Sequence, residues 1–162
     1  MSKRRYAIYL GGGLFNAGER LHNLYLEEHL KRLGREVILP QREALRFFAD
    51  GKFNLDEVVT NCRQQCSSKK KIYVGNVDGT DADSGSAIEY GIAITATGYA
   101  IIYRTDFRTA TEKEVGVNAM FRAKETTFIY EPCFFTELDQ VDKYYTELAR
   151  KIDAAISKLE EK

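Results

Sequence analysis

Short apolar runs alternate along the chain with longer stretches whose apolar residues recur at helical spacing. Residues 5–10 (Arg-Tyr-Ala-Ile-Tyr-Leu) read as a short buried strand, broken by Gly11-Gly12-Gly13. A helix is predicted next. Asn16 and Glu19 have capping-box spacing, Leu26, Leu30 and Leu33 form a stripe, and Gly34 is a natural stop. Residues 36–39 read as a second strand, ended by Pro40. The pattern then blurs, predicting a short helix over 44–49 and a turn at Asp50-Gly51. A helix capped by Asn54 follows, with Leu55, Val58, Val59, Cys62 and Cys66 on one face. Residues 71–76, 99–103 and 126–130 read as the third, fourth and fifth strands. Further helices are predicted from the loop after strand 3 to about Gly98, over 112–123, and from about Asp139 to the end. In the last, Val141, Tyr145, Leu148, Ile152, Ile156 and Leu159 recur at three- and four-residue steps.

This alternation implies right-handed crossovers and an α/β fold. The expectation is a single domain over 1–162, with a doubly wound five-stranded parallel sheet in a three-layer, flavodoxin-like or Rossmann-like sandwich. Such folds bind ligands outside the carboxyl ends of the strands, near the switch point. The loops in that position are 11–16, 41–53, 78–86 and 104–111.

One residue breaks the pattern. Between Ser84 and Tyr103 the only charged residue is Glu89. A carboxylate in a run that otherwise reads as buried is expensive to keep. Asp83 lies six residues before it, just ahead of the predicted helix start if Ser84 or Ser86 is the cap. Both carboxylates can then face one cavity, and in unlike environments they can take unlike roles. Retaining glycosyl chemistry needs such a pair, one attacking the anomeric carbon and one moving the proton of the leaving group. The structural alternatives are that Asp83 only caps the helix and that a cation neutralises Glu89. Asp78 and Asp81 read as solvated turn residues.

Composition narrows the field. Lys plus Arg equal Asp plus Glu, for a formal net charge of 0, which argues against a nucleic-acid binder held by phosphate neutralisation. No apolar run reaches the ~18 residues of a membrane helix, and no signal peptide is visible. Cys62, Cys66 and Cys133 lack metal-site spacing, and Cys62 and Cys66, on the apolar face of a predicted helix, read as core thiols of a reducing, cytoplasmic compartment. His22 and His29 have no third ligand nearby, so neither a metal nor a cofactor is expected.

The glycines after strand 1 resemble a phosphate loop but lack both the dinucleotide pattern and the Lys-Ser/Thr of a P-loop. Gly11 and Gly12 could equally let a sugar or base lie against the backbone. Tyr9 could point its hydroxyl into the cleft or pack in the core, and Phe15 could stack on a flat ring.

Asp83-Ser-Gly-Ser-Ala-Ile-Glu-Tyr-Gly-Ile-Ala93 resembles the Asp-Ser-Gly-x-x-x-Glu-x-Gly-x-Ala signature of nucleoside 2-deoxyribosyltransferases. Tyr9, the glycines and Phe15 are similar to that family's N-terminal region, and Asn118-Ala-Met120 to its Asn-x-Met segment. The resemblance implies a transfer of 2-deoxyribose between nucleobases. In it Glu89 is the nucleophile, Asp83 the acid/base and Tyr9 the orienting tyrosine, with Gly85 in the turn between the carboxylates. It further implies that Gln41 reads the base edge and Phe15 packs on the base. Asn118, with Met120, would reach the sugar 5′-hydroxyl of a neighbouring subunit, so the enzyme would be a homo-oligomer. Its partners would be deoxyribonucleosides and free nucleobases. The chain departs from the family on the helix before strand 3, where Asn61-Cys62-Arg63 offers no acid to the base, although Asn61 could hydrogen-bond its edge. Two other readings stand beside this one: a hydrolase of deoxynucleoside 5′-monophosphates, and a nucleotide-sensing module without catalysis.

Overall fold

The computed structural model describes residues 6–108 and 116–161. Its main sheet contains β1 (Ala7–Gly11), β2 (Val37–Ile38), β5 (Lys71–Asn76), β6 (Ala100–Arg104) and β7 (Thr126–Tyr130). All neighbours are parallel, in the order β2-β1-β5-β6-β7. The first strand is thus flanked by the second and third of the sheet, and the switch point falls between β1 and β5.

Helices α1 (Ala17–Arg32) and α5 (Val141–Glu160) pack together on one face of the sheet, and α3 (Leu55–Cys66) and α4 (Ser84–Thr97) on the other. Strand alternation assigns side chains to each layer. Ile8, Leu10, Ile72 and Val74 join Leu26, Leu30, Leu148 and Ile152 in one core, while Tyr9, Tyr73 and Ile102 join Cys66, Tyr90 and Ala93 in the other. Each fully buried aliphatic side chain contributes about 1.5–3 kcal/mol by leaving water.

Local signals fix most of the ends. Asn16 caps α1 with the full capping box: its side chain accepts from Glu19 N, and Glu19 Oε2 accepts from Asn16 N. Asn54 caps α3, and Gly98 ends α4 in the left-handed conformation at φ 80°. The third and fifth sheet strands have the predicted limits, and the others differ by a residue or two.

Two local expectations fail. The predicted helix over 44–49 is instead a short helix α2 (Pro40–Glu43), a 3-10 turn (Ala44–Phe47) and a two-stranded ribbon of β3 (Phe48–Ala49) and β4 (Lys52–Phe53). Asp50 and Gly51, at φ 52° and 75°, make its turn, and their demand for positive φ ends the helix early. The helix predicted over 112–123 lies partly outside the described residues. Within them only a 3-10 turn, Ala119–Arg122, is present, capped by Asn118.

Candidate active site

The site grows from the start of α4. Its N-cap is Asp83, not Ser84 or Ser86 as the sequence suggested. Asp83 Oδ2 accepts hydrogen bonds from Ser86 N (2.9 Å) and Ser86 Oγ (3.1 Å), while Oδ1 accepts none among the described residues. Capping and availability to a ligand are therefore compatible, because the two oxygens are separate. Beneath the helix, Tyr9 points upward from β1 and donates its hydroxyl to Glu89 Oε1 at 2.8 Å. Tyr73, one strand over, is fully enclosed and donates to Ser86 O at 3.0 Å, which pins the same helical turn to the sheet.

Gly11 and Gly75 explain how a second tyrosine fits there. A Cβ on either would lie 2.5 Å or 2.4 Å from the Tyr73 ring. Gly11 thus makes room for Tyr73, whereas Gly12, at φ 153°, borders the cavity.

That cavity has a volume of about 520 Å3 and is bounded by Glu89, Asp83, Gly85, Gly12 and Phe15 together with one flank of α3. It is the size of a small-molecule site. Its walls are mostly apolar, and both carboxylates border it, close enough for the Asp83 charge to act on Glu89. Burial pushes the Glu89 carboxyl up to about 7. The Tyr9 hydrogen bond opposes this, the nearby Asp83 charge adds to it, and a hydrogen bond from Cys62 opposes it again. Burial, reinforced by Glu89, holds the Tyr9 phenol far above its ordinary range, so Tyr9 remains a donor. The pair supplies a carboxylate that is costly to ionise and reactive once ionised, aimed at whatever the cavity holds.

Five of the residues singled out from sequence, Glu89, Asp83, Gly12, Phe15 and Gly85, therefore border one cavity, with Tyr9 beneath. Gln41 does not reach it. Gln41 is buried, accepts from Asn23 Nδ2 (3.1 Å) and donates to Arg20 O (3.2 Å), so its amide ties α2 to α1. Asn61 faces a different, shallower pocket and accepts from Gln65 Nε2 at 3.2 Å. Asn118 and Met120 are both exposed; Asn118 borders a separate cavity, and its side chain accepts from Met120 N.

Asp78 is not a solvated turn residue. Its carboxylate accepts from Asn76 Nδ2, Thr105 N, Thr105 Oγ1 and Asp106 N, locking the ends of β5 and β6 together. His22 is held between Tyr145 and Tyr103 hydroxyls, and burial lowers it to about 4, so it stays neutral. No cluster of metal-ligating side chains occurs among the described residues.

Sequence reasoning missed Cys62, Arg63 and Tyr73. Cys62 was assigned to the core as an apolar helix position, yet it borders the cavity and its thiol meets both Tyr9 and Glu89. Helical periodicity marked the right face of α3 but could not say that this face borders a cavity rather than a filled core.

Comparison with known proteins shows what the fold and the chain are similar to. Several solved structures share the fold, among them the following three. A 2-deoxyribosyltransferase from Bacillus psychrosaccharolyticus aligns with a TM-score of 0.60 at 20% identity, over 88% of this chain and 95% of that one. A conserved protein from Enterococcus faecalis V583 aligns at 0.61 and 20% identity, over 95% and 98%. A CMP N-glycosidase from Clostridium botulinum aligns at 0.55 and 13% identity, over 92% and 98%. No curated protein sequence shows significant similarity to the chain. The family model for nucleoside 2-deoxyribosyltransferases matches residues 8–121, a span that runs from β1 through Tyr9, Asp83 and Glu89 to Phe121. With both carboxylates and the tyrosine beneath them inside that span, the chain belongs to the nucleoside 2-deoxyribosyltransferase family.

Proposed function

We propose that the protein transfers 2-deoxyribose from a deoxyribonucleoside to a free nucleobase with net retention, without a metal or cofactor. The observation that carries this reading is the Tyr9–Glu89 hydrogen bond at the wall of a cavity that Asp83 also borders. In the first step Glu89 attacks C1′ as the C1′–base bond breaks. The bond's electron pair leaves with the base, and Asp83 delivers a proton to it. A 2-deoxyribose lacks the electron-withdrawing 2′-hydroxyl, so its oxocarbenium-like transition state forms readily, and the carboxylate beneath first stabilises and then traps it. In the second step an incoming base, deprotonated through Asp83, displaces Glu89 from C1′. Two inversions give retention.

Tyr9 orients one Glu89 oxygen and lowers the energy of its ionised form, leaving the other oxygen for C1′. The apolar walls exclude water, which favours a base over water as acceptor. The same intermediate met by water gives N-glycoside hydrolysis, and binding without turnover would make the site a sensor. Incubation with a 2-fluoro-2-deoxy nucleoside separates these outcomes. The expected result is a mass increase on the peptide carrying Glu89, discharged by an added base with formation of a new nucleoside. An unlabelled protein, or discharge only to free sugar, would overturn transfer.

The exposed Asn118 and Met120 lie away from their own chain's cavity, so in this reading they complete the cavity of a neighbouring copy. The functional unit is then a homo-oligomer acting on purine or pyrimidine deoxyribonucleosides, not on nucleic acid or at a membrane. No helix among the described residues is long and apolar enough to cross a membrane. A reducing, cytoplasmic setting fits the free thiols Cys62, Cys66 and Cys133, the first of which contacts Glu89.

A further inference from the structure

The carboxylates of the Glu89 cavity fix the sugar, and the remainder must accommodate the base. Leu14, Phe15, Val58, Val59 and Ile88 line that remainder. Such walls fix the plane of a ring but cannot distinguish one hydrogen-bonding edge from another. Few side chains around the cavity can read an edge. Ser86 directs both its backbone N–H and its hydroxyl to Asp83, and the Cys62 thiol is engaged with Tyr9 and Glu89. Arg63 is different. It lies on α3 at the exposed rim of the same cavity, and among the described residues its guanidinium has no hydrogen-bond or ion-pair partner.

A guanidinium has five N–H donors and no acceptor, and it stays charged at any working pH. It therefore discriminates by edge. In hypoxanthine and guanine the edge remote from the sugar presents O6 and N7, both acceptors, in the geometry a guanidinium bonds in bidentate fashion. In adenine an amino donor replaces O6 and meets Arg63 donor to donor. The same single exchange separates uracil from cytosine.

We propose that Arg63 selects oxo bases over their amino counterparts, so that 6-oxopurine deoxyribonucleosides are the preferred substrates and hypoxanthine or guanine the preferred acceptors. This rests on the reading of the Glu89 cavity as a deoxyribonucleoside site. Arg63 also acts on the rate. As the C1′–N9 bond breaks, its electron pair delocalises over the departing purine to O6, where the guanidinium meets the growing charge. Preference thus appears in kcat as well as in KM.

The test compares deoxyinosine with deoxyadenosine, which differ in the oxo or amino group at this position and in the N1 proton that accompanies it. It uses the wild type, Arg63→Met and Arg63→Lys. Arg63 is exposed and makes no side-chain bond among the described residues, so these variants should fold, and their thermal midpoints check that they do. One good bidentate contact predicts a wild-type preference for deoxyinosine of about 10- to 100-fold in kcat/KM. Arg63→Met should bring the ratio to near one, mostly by loss on deoxyinosine, and Arg63→Lys should retain an intermediate preference. Calorimetric binding of free hypoxanthine and adenine to the same proteins gives a second readout that needs no turnover. If hypoxanthine binds better in an Arg63-dependent way but no nucleoside reacts, the transferase reading fails and edge selection by Arg63 stands. Equal or better use of adenine, a preference unchanged in Arg63→Met, or no binding of either base would overturn the proposal.

Discussion

Glu89 must be buried to be reactive and ionised to attack, and its environment sets the compromise. Its carboxyl is raised from an ordinary 4.5 to about 7. Attack therefore requires loss of a proton near neutrality, and the kcat/KM for cleavage should fall roughly tenfold per pH unit below about 7. The same group affects stability. Between 4.5 and about 7 the folded chain holds a proton there that the unfolded chain has released, so this contribution falls as pH rises through that window. Replacing the group by a neutral amide removes the penalty. Urea unfolding should show Glu89→Gln more stable than the wild type at pH 8 by about 2–3 kcal/mol, with the gap closing towards pH 4.5. Tyr9→Phe removes a bond that favours the ionised form. It should move the acid limb of the rate profile to higher pH and lower kcat by ~10- to 100-fold with folding intact. An unshifted limb would mean that Tyr9 does not govern the ionisation of Glu89.

At the scale of elements, the site depends on how closely α4 approaches the sheet. Tyr73 bonds Ser86 O from a slot between Gly11 and Gly75, where either Cβ would overlap the ring. Gly75→Ala must displace that ring, with an expected destabilisation of about 1–3 kcal/mol in thermal or urea unfolding. Activity should fall further than stability, because the displaced turn carries both Asp83 and Glu89. Much of this element was readable in the chain, since an isolated acid in an apolar run between a glycine-rich loop and Gly98 marks a helix start over a site. The spacing of Tyr9 from the glycines was readable too, but not the direction of its hydroxyl. Gln41 and Asp78 show the limit. Each is a polar residue in a ligand-bearing loop, and each bonds intramolecular groups brought near only by folding. No local pattern distinguishes a free amide or carboxylate from one already satisfied by a distant partner.

At the scale of the whole molecule, the chain separates Glu89 from Asn118, and the two border different cavities. If neighbouring copies complete each other's sites, Glu89→Ala and Asn118→Ala proteins, each nearly inactive alone, should regain activity when refolded together. A random dimer mixture should recover about a quarter of wild-type activity, because half of the dimers are mixed and each has one intact site. No recovery would overturn the sharing of sites between copies.

The order of apolar runs and caps along the chain was enough for the parallel α/β architecture, because burial on both faces of a strand and one face of a helix leaves a period that neighbouring residues reveal. The Asp83–Glu89 pair was visible for a related reason: a charge is conspicuous where its surroundings are apolar. The third dimension decided what each polar group faces. It directed Tyr9 to Glu89, placed Asp83 itself at the helix cap, turned Gln41 inward, and left Arg63 at the rim without a bonding partner among the described residues. Hydrogen bonds are short-ranged, and the partners of Tyr9 and Gln41 are 80 and 21 residues away in sequence, so the choice between a structural and a chemical use was made by packing.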